Sequence, residues 1–287
     1  MQDNILEIIN LSKSYGKFKL SNVNIVLPRG YIMGFIGANG AGKTTTIKLI
    51  MNMIKKDSGE IKVLGKDHVK DELYIKNKVG YVSEQPVFYD NQTVAWNVNF
   101  AKKYYTKWDD TACTELLTRF NIDRFKKMNQ LSKGMKMKTA LAIALSHHPE
   151  LLILDEPTSG LDPIVRDELL GILMEFIQDE RRAVFFSSHI TTDIEKIGDY
   201  VTFIDNGTII LSEEKDKILE QWKLVKGDIN QVDNYKNDLM GLELTRTNFK
   251  AIVKDFGAFK ARHDISSLTV DKPSLDDILL HLAKKEN

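Results

Sequence analysis

The sequence predicts an α/β fold built on a parallel sheet. LLIL at 151–154 and AVFFSS at 183–188 are short continuous apolar runs, the mark of strands buried on both faces. Between them, Val165, Leu169, Ile172, Leu173 and Phe176 recur on one helical face. Earlier in the chain, the strand-like YIMGFI runs into the glycine-rich GANGAGKTT. Over 43–54 a helical pattern follows, with Ile47, Ile50, Met51 and Ile54 on one side. Strand, helix, strand in this order is the sequence form of a parallel crossover.

The other elements are read in chain order. Residues 4–36 give strands in ILEII, NVNIVL and YIMGFIG, and EIKVLG and VGYVS add two more. From Thr93 to Gln130 the pattern is helical and rich in aromatics, including Trp96, Phe100, Tyr104, Tyr105 and Trp108. LSKGM at 131–135 opens a helix: Met137, Ala140, Leu141, Ala144 and Leu145 share a face, and Ser132 stands at the N-cap. YVTFIDNGTIIL reads as a hairpin turning at Asn206-Gly207. After Trp222 the chain becomes more polar. LELTRTNFKAIVKD suits strands, and PSLDDILLHLAKK suits a helix capped by Ser274 with Asp277 three residues on. The expected division is one large domain over 1–221 and a small appended α+β subdomain over 222–287.

Composition narrows the choice of function. The 287 residues can bury a full core. Forty basic residues balance forty acidic ones, which gives no hint of the basic face that attracts nucleic acid. Cys113 is the only cysteine, so no internal disulfide forms, which fits a reducing compartment. The six histidines show no metal-ligand spacing. MQDNILEIIN lacks the basic and apolar regions of a signal peptide, and no run nears the 18 or so apolar residues of a spanning helix. The expectation is a polypeptide soluble by itself, with any membrane spans supplied by another chain.

The chemistry concentrates in two stretches. GANGAGKTT satisfies G-x-x-x-x-G-K-[ST] between a strand and a helix, where that motif cradles phosphate. Backbone N–H groups of Asn39, Gly40, Ala41, Gly42, Lys43, Thr44 and Thr45 can turn toward phosphate oxygens. Lys43 adds charge for the β- and γ-phosphates, and the Thr44 hydroxyl can ligate Mg²⁺. In LLILDEP, Asp155 and Glu156 emerge at the C-terminal end of a buried strand, the edge at which open α/β sheets bind ligands. Asp155 suits the metal shell, and Glu156 is free to orient or deprotonate a water. His189 closes the next strand and could donate to the γ-phosphate as charge builds.

GANGAGKTT, LSKGM, LLILDEP, SGLD at 159–162 and FSSH follow one another across about residues 4–220. Together they resemble the ATP-binding cassette (ABC) ATPases. The resemblance implies a P-loop NTPase core with an antiparallel β subdomain and a helical subdomain at about 86–145. ATP and Mg²⁺ are the cofactors, and two cassettes meet head to tail. LSKGM is similar to the family signature, so Ser132, Lys133 and Gly134 would cap a γ-phosphate held by a second cassette, in a homodimer. Asp162 would lie along the seam and also suits an N-cap before Pro163. Tyr15 of KSYG matches the aromatic that stacks on adenine. Two departures stand out: Lys133 and Met135 replace glycine and glutamine, and the glutamine that senses the metal falls at Glu84, with Gln85 beside it. Thr44, Glu84 and Asp155 form the expected metal set.

Only 112 residues separate Lys43 from Asp155 (155 − 43), too few for the coiled coil of chromosome relatives. A single cassette argues against translation-factor relatives. The resemblance therefore implies a transporter subunit on the cytoplasmic side of the membrane, bound to multi-span permease chains. Phe88, Tyr89 and Trp96 are the expected contacts. The C-terminal segment is similar to ABC-2 type exporters of drugs, antibiotics, amphipathic peptides or polymers. The alternatives are a soluble ABC ATPase acting on ribosome or nucleic acid, and a clamp that binds ATP without turnover.

Overall fold

The computed structural model describes residues 3–283. It separates into two compact units, Met1–Ile209 and Ile210–Asn287, a division earlier than the composition change near Trp222.

The first unit opens with two long strands, β1 (Asn4–Tyr15) and β2 (Phe18–Pro28), followed by the fully buried β3 (Ile32–Ile36). Helix α1 (Lys43–Ile50) leads to β4 (Ser58–Val63), β5 (Lys66–Asp67), α2 (Glu72–Lys76) and β6 (Val79–Val82). Three helices follow: α3 (Val94–Lys102), α4 (Asp110–Arg119) and α5 (Lys133–Leu145). The chain then alternates through β7 (Leu151–Asp155), α6 (Pro163–Phe176), β8 (Ala183–Ser188), α7 (Thr191–Ile197) and β9 (Tyr200–Asp205), and enters β10 (Thr208–Glu214).

Among the described residues these strands form two sheets. An antiparallel sheet has the order β2-β1-β4-β5, and a second sheet has the order β10-β9-β3-β8-β7-β6. In the second, β3 pairs in parallel with both β8 and β9, and β7 pairs in parallel with both β6 and β8. Phe35 and Phe185 meet at 5.2 Å between ring centroids, and both belong to an apolar core that includes Leu6, Leu20, Ile47 and Ile153. Burying each such side chain contributes about 1.5–3 kcal/mol.

Helix α1 is shorter than the periodicity over 43–54 predicts. Asn52 adopts φ 52°, and the Met53 N–H reaches back to Lys48 O at 2.8 Å. A left-handed residue that turns the chain back onto its own last carbonyls ends the helix. The hairpin at Asn206-Gly207 forms as read, with φ of 42° and 79° at its two central residues.

The second unit holds α8 (Lys215–Gln221), β11 (Lys223–Asp228), β12 (Met240–Leu244), β13 (Asn248–Val253), α9 (Phe256–Arg262), β14 (Thr269–Asp271) and α10 (Leu275–Ala283). Its antiparallel sheet runs β12-β13-β11-β14 over a core of Val225, Tyr235, Phe249 and Phe259. Helix α10 is capped as the sequence suggests. Asp277 N–H donates to Ser274 Oγ at 3.1 Å, and Ser274 Oγ donates to Asp277 Oδ2 at 2.8 Å. Lys284 and Lys285 of that motif lie outside the described residues.

Candidate active site

The parallel order of β3, β7 and β8 brings three strand ends to one edge. From β3 the chain turns through GANGAG into α1, whose start is set by Gly42 at φ 118°, a conformation that favours glycine. A Cβ there would also press on Phe18, Leu20 and Ile204 at 3.1–3.2 Å. From β7 comes Asp155-Glu156, and from β8 comes His189.

These segments enclose a cleft of about 540 Å³ lined by Ala38, Asn39, Gly40, Gly42, Lys43, Thr44, Thr45, Glu84, Glu156, Ser159, His189 and Phe18. At its floor, Lys43 Nζ donates to Gly37 O at 2.7 Å and Ala38 O at 3.2 Å, and pairs with Glu156 Oε1 at 2.9 Å. Both Lys43 and Glu156 are buried. The other carboxylate oxygen of Glu156 meets His189 Nδ1 at 2.7 Å and accepts the His189 backbone N–H at 3.2 Å. Glu156 itself has φ 51°, unusual for a side chain of its size. Its N–H is held by Ser187 O at 3.2 Å and Ser187 Oγ at 3.0 Å. Strain of this kind persists where surrounding bonds over-determine it, as they do here.

Asp155 is buried beneath this cluster and accepts from Ser187 Oγ at 2.7 Å. Its charge is felt by Tyr81, whose hydroxyl is pushed up to about 12, first by burial and then by Asp155. Hard oxygen donors of this kind suit Mg²⁺, which takes one or two carboxylates, a hydroxyl and phosphate oxygens. Thr44 and Glu84 line the cleft, and Asp155 adjoins Glu156 at the end of β7. Gln85 is not among the lining residues; its carbonyl accepts from Ser83 Oγ at 3.1 Å.

Other expected residues lie elsewhere. Tyr15 is exposed at the end of β1 and carries Lys13 Nζ 5.3 Å from its ring centre; the aromatic at the cleft is Phe18. Ala41 is buried behind the phosphate loop. Ser132 caps α5 through Met135 N–H at 3.2 Å, and Lys133 Nζ donates to Ser159 O at 2.6 Å. Gly134 sits in the first turn of α5, against Val165 and Leu161. Asp162 caps α6, accepting from Ile164 and Val165 N–H at 3.1 and 3.0 Å.

Phe18, Ser159 and Ser187 are cleft and support residues that the sequence reading missed. Ser187 and Ser188 carried a signal, since two hydroxyls in an otherwise apolar buried strand require partners.

A second cavity, of about 360 Å³, is lined by Val87, Phe88, Tyr89, Phe100, Tyr104 and Tyr105, among others. Trp96 stacks on Phe100 at 5.4 Å, and Tyr89 meets Trp96 edge-on at 4.9 Å. Val87 is 93% exposed and Tyr104 65%. So much apolar surface together marks an interaction site more often than chance.

Residues 20–159 match the ABC transporter family. The chain is 37% identical over 209 residues to the bacitracin transport ATP-binding protein BcrA of Bacillus licheniformis, covering 72% of this chain and 68% of that one. It is 39% identical over 216 residues to the lantibiotic transport ATP-binding protein SrtF of Streptococcus pyogenes, covering 74% and 92%. A solved ATP-binding subunit of an ABC transporter superposes with a TM-score of 0.69 at 29% identity, over 75% of this chain and 92% of that one.

Proposed function

Since the chain belongs to the ATP-binding proteins of ABC transporters and is an ATPase of that kind, we propose that it drives a membrane exporter of antibiotic-like or amphipathic peptide cargo. The observation that carries the catalytic half is the cluster at the cleft floor, in which the buried Lys43–Glu156 pair meets the exposed His189. Relatives named for bacitracin and lantibiotic transport support the choice of cargo class.

The residues divide the work. Backbone N–H groups of the phosphate loop and the start of α1 receive phosphate oxygens. Lys43 places its ammonium beside the β- and γ-phosphates. Two of its hydrogens go to Gly37 O and Ala38 O, and Glu156 Oε1, 2.9 Å away, balances its charge without a hydrogen bond, so an arriving phosphate oxygen takes over the position of Glu156. Glu156 is then released to accept a proton from the attacking water. His189, held through Nδ1, can present Nε2 to the terminal phosphate and donates there in its protonated form. Thr44, Asp155 and Glu84 would hold Mg²⁺, which neutralises charge on the phosphates when bound.

In this reading two copies meet head to tail, with Ser132, Lys133 and Gly134 capping the other copy's phosphate and Asp162 at the seam. The aromatic groove receives a segment of a multi-span permease, which sets the protein on the cytoplasmic face of the membrane. No helix among the described residues is long and apolar enough to cross a membrane. Purification of the tagged chain from its own cells in mild detergent tests this. A co-purifying multi-span protein, lost when Tyr89 and Phe100 are changed to Asp, is the expected result. Ribosomal proteins or nucleic acid in its place would overturn the exporter reading.

A further inference from the structure

Beyond the cleft itself, β7 and β8 remain cross-linked by side chains after their backbone pairing ends. Within the strands, Asp155 lies opposite Ser187, whose hydroxyl donates to it at 2.7 Å. One residue on, Glu156 meets His189 at 2.7 Å. Two residues further, the Thr158 hydroxyl donates to Asp193 Oδ2 at 2.7 Å. Asp193 lies in the first turn of α7, four residues after His189. Its other oxygen accepts from Arg166 Nε, and Arg166 Nη2 donates to Thr192 Oγ1 at 2.8 Å.

This last cross-link is buried, as the Asp155–Ser187 one is. Thr158 and Asp193 are each 1% exposed. A carboxylate taken so far from water requires charged and hydrogen-bonding partners, and Arg166 and Thr158 supply them. Such a bond holds its two segments at one separation, and those segments carry the two groups that face the phosphate. We infer that Asp193 is a positioning residue for hydrolysis. Through Thr158 it fixes the loop after Glu156 against the segment after His189, so that the carboxylate and imidazole keep their 2.7 Å contact while Lys43 exchanges Glu156 for phosphate. Neither Asp193 nor Thr158 lines the cleft, so the expected effect of their loss is on hydrolysis rather than on ATP affinity.

The inference rests on Glu156 as the group that activates water, and the experiment separates the two claims. Full-length Thr158→Val, Thr158→Ser, Asp193→Asn and Glu156→Gln are compared for single-turnover hydrolysis at saturating ATP and for ATP affinity by titration calorimetry. Thr158→Val is expected to slow hydrolysis about tenfold with affinity unchanged within twofold. Thr158→Ser, which keeps the hydroxyl, restores the rate. Asp193→Asn keeps an acceptor for Thr158 but loses the charge facing Arg166, and it falls between them. A Thr158→Val rate equal to wild type, or a loss shared equally by affinity and rate, overturns the positioning role. Wild-type hydrolysis by Glu156→Gln instead overturns the assignment of Glu156.

Discussion

Replacing Glu156 by Gln tests two consequences of the same geometry. Gln keeps the volume and one acceptor oxygen, so the φ 51° turn and the Ser187 bonds to its N–H are retained. What disappears is the charge. At 2.9 Å from Lys43, with an effective dielectric of about 20, the lost attraction is about 6 kcal/mol in gross terms. Desolvation of two buried charges offsets most of that, leaving about 1 kcal/mol net. Lys43 is therefore more available to phosphate, and ATP binds about fivefold more tightly. Hydrolysis moves the other way. Loss of a general base costs about 10²–10⁴-fold in rate. The assays are calorimetric titration with ATP and single-turnover phosphate release, with circular dichroism to verify the fold. An ATP-bound dimer accumulating in size-exclusion chromatography follows from the two effects together. A rate within threefold of wild type refutes the base assignment, and weaker ATP binding refutes the exchange of Glu156 for phosphate.

Lys43→Ala removes the ammonium at the cleft floor, and ATP binding by calorimetry is expected to disappear; tight binding retained would overturn the phosphate-loop reading. Gly207→Ala places a Cβ 2.0 Å from Lys19 O at φ 79°, so it is expected to lower the melting temperature by several degrees, read by scanning calorimetry. Glu150 gives a pH prediction. Burial alone would raise its carboxyl, but hydrogen bonds from Lys78 and Arg29 outweigh that and hold it below its ordinary 4.5. Its stabilisation is complete above pH 4.5 and is lost as pH falls through the lower folded value. Glu150→Gln is therefore expected to flatten the acid side of a stability-against-pH curve below 4.5, and an unchanged slope would refute it.

Much of the fold was readable because its signals are local. Continuous apolar runs announced β7 and β8, Asn206-Gly207 announced the hairpin, and Ser274 with Asp277 announced the cap of α10. The phosphate loop and the Asp155-Glu156 pair were readable because their chemistry needs fixed residue types at fixed spacing. Other features depend on partners distant in sequence. Glu156 and His189 are 33 positions apart, and only the parallel pairing of β7 with β8 makes them touch. Phe18 reaches the cleft because β2 lies over the phosphate loop, which no period reveals. The early end of α1 turned on a single asparagine in a left-handed conformation, a choice that apolar periodicity does not record. β11, β14 and α9 carry weak patterns, being short elements of a small subdomain.

The hairpin tip at Gly207 holds the phosphate loop from behind. Its N–H donates to Ala41 O at 2.9 Å, and its carbonyl accepts from Ser21 N–H at 2.8 Å. Strand β3, which delivers that loop, has β8 and β9 as its neighbours, both made long after it. On a ribosome adding about 5–20 residues per second, β1, β2 and the loop emerge well before the strands that support them. Pairing across such sequence distances is slow to form. The contact from Gly207 to the loop can form only once residue 207 has cleared the exit tunnel. A truncated chain ending before β9 contains every residue of GANGAGKTT and β8 beside β3, but lacks β9 and the Gly207 tip behind the loop.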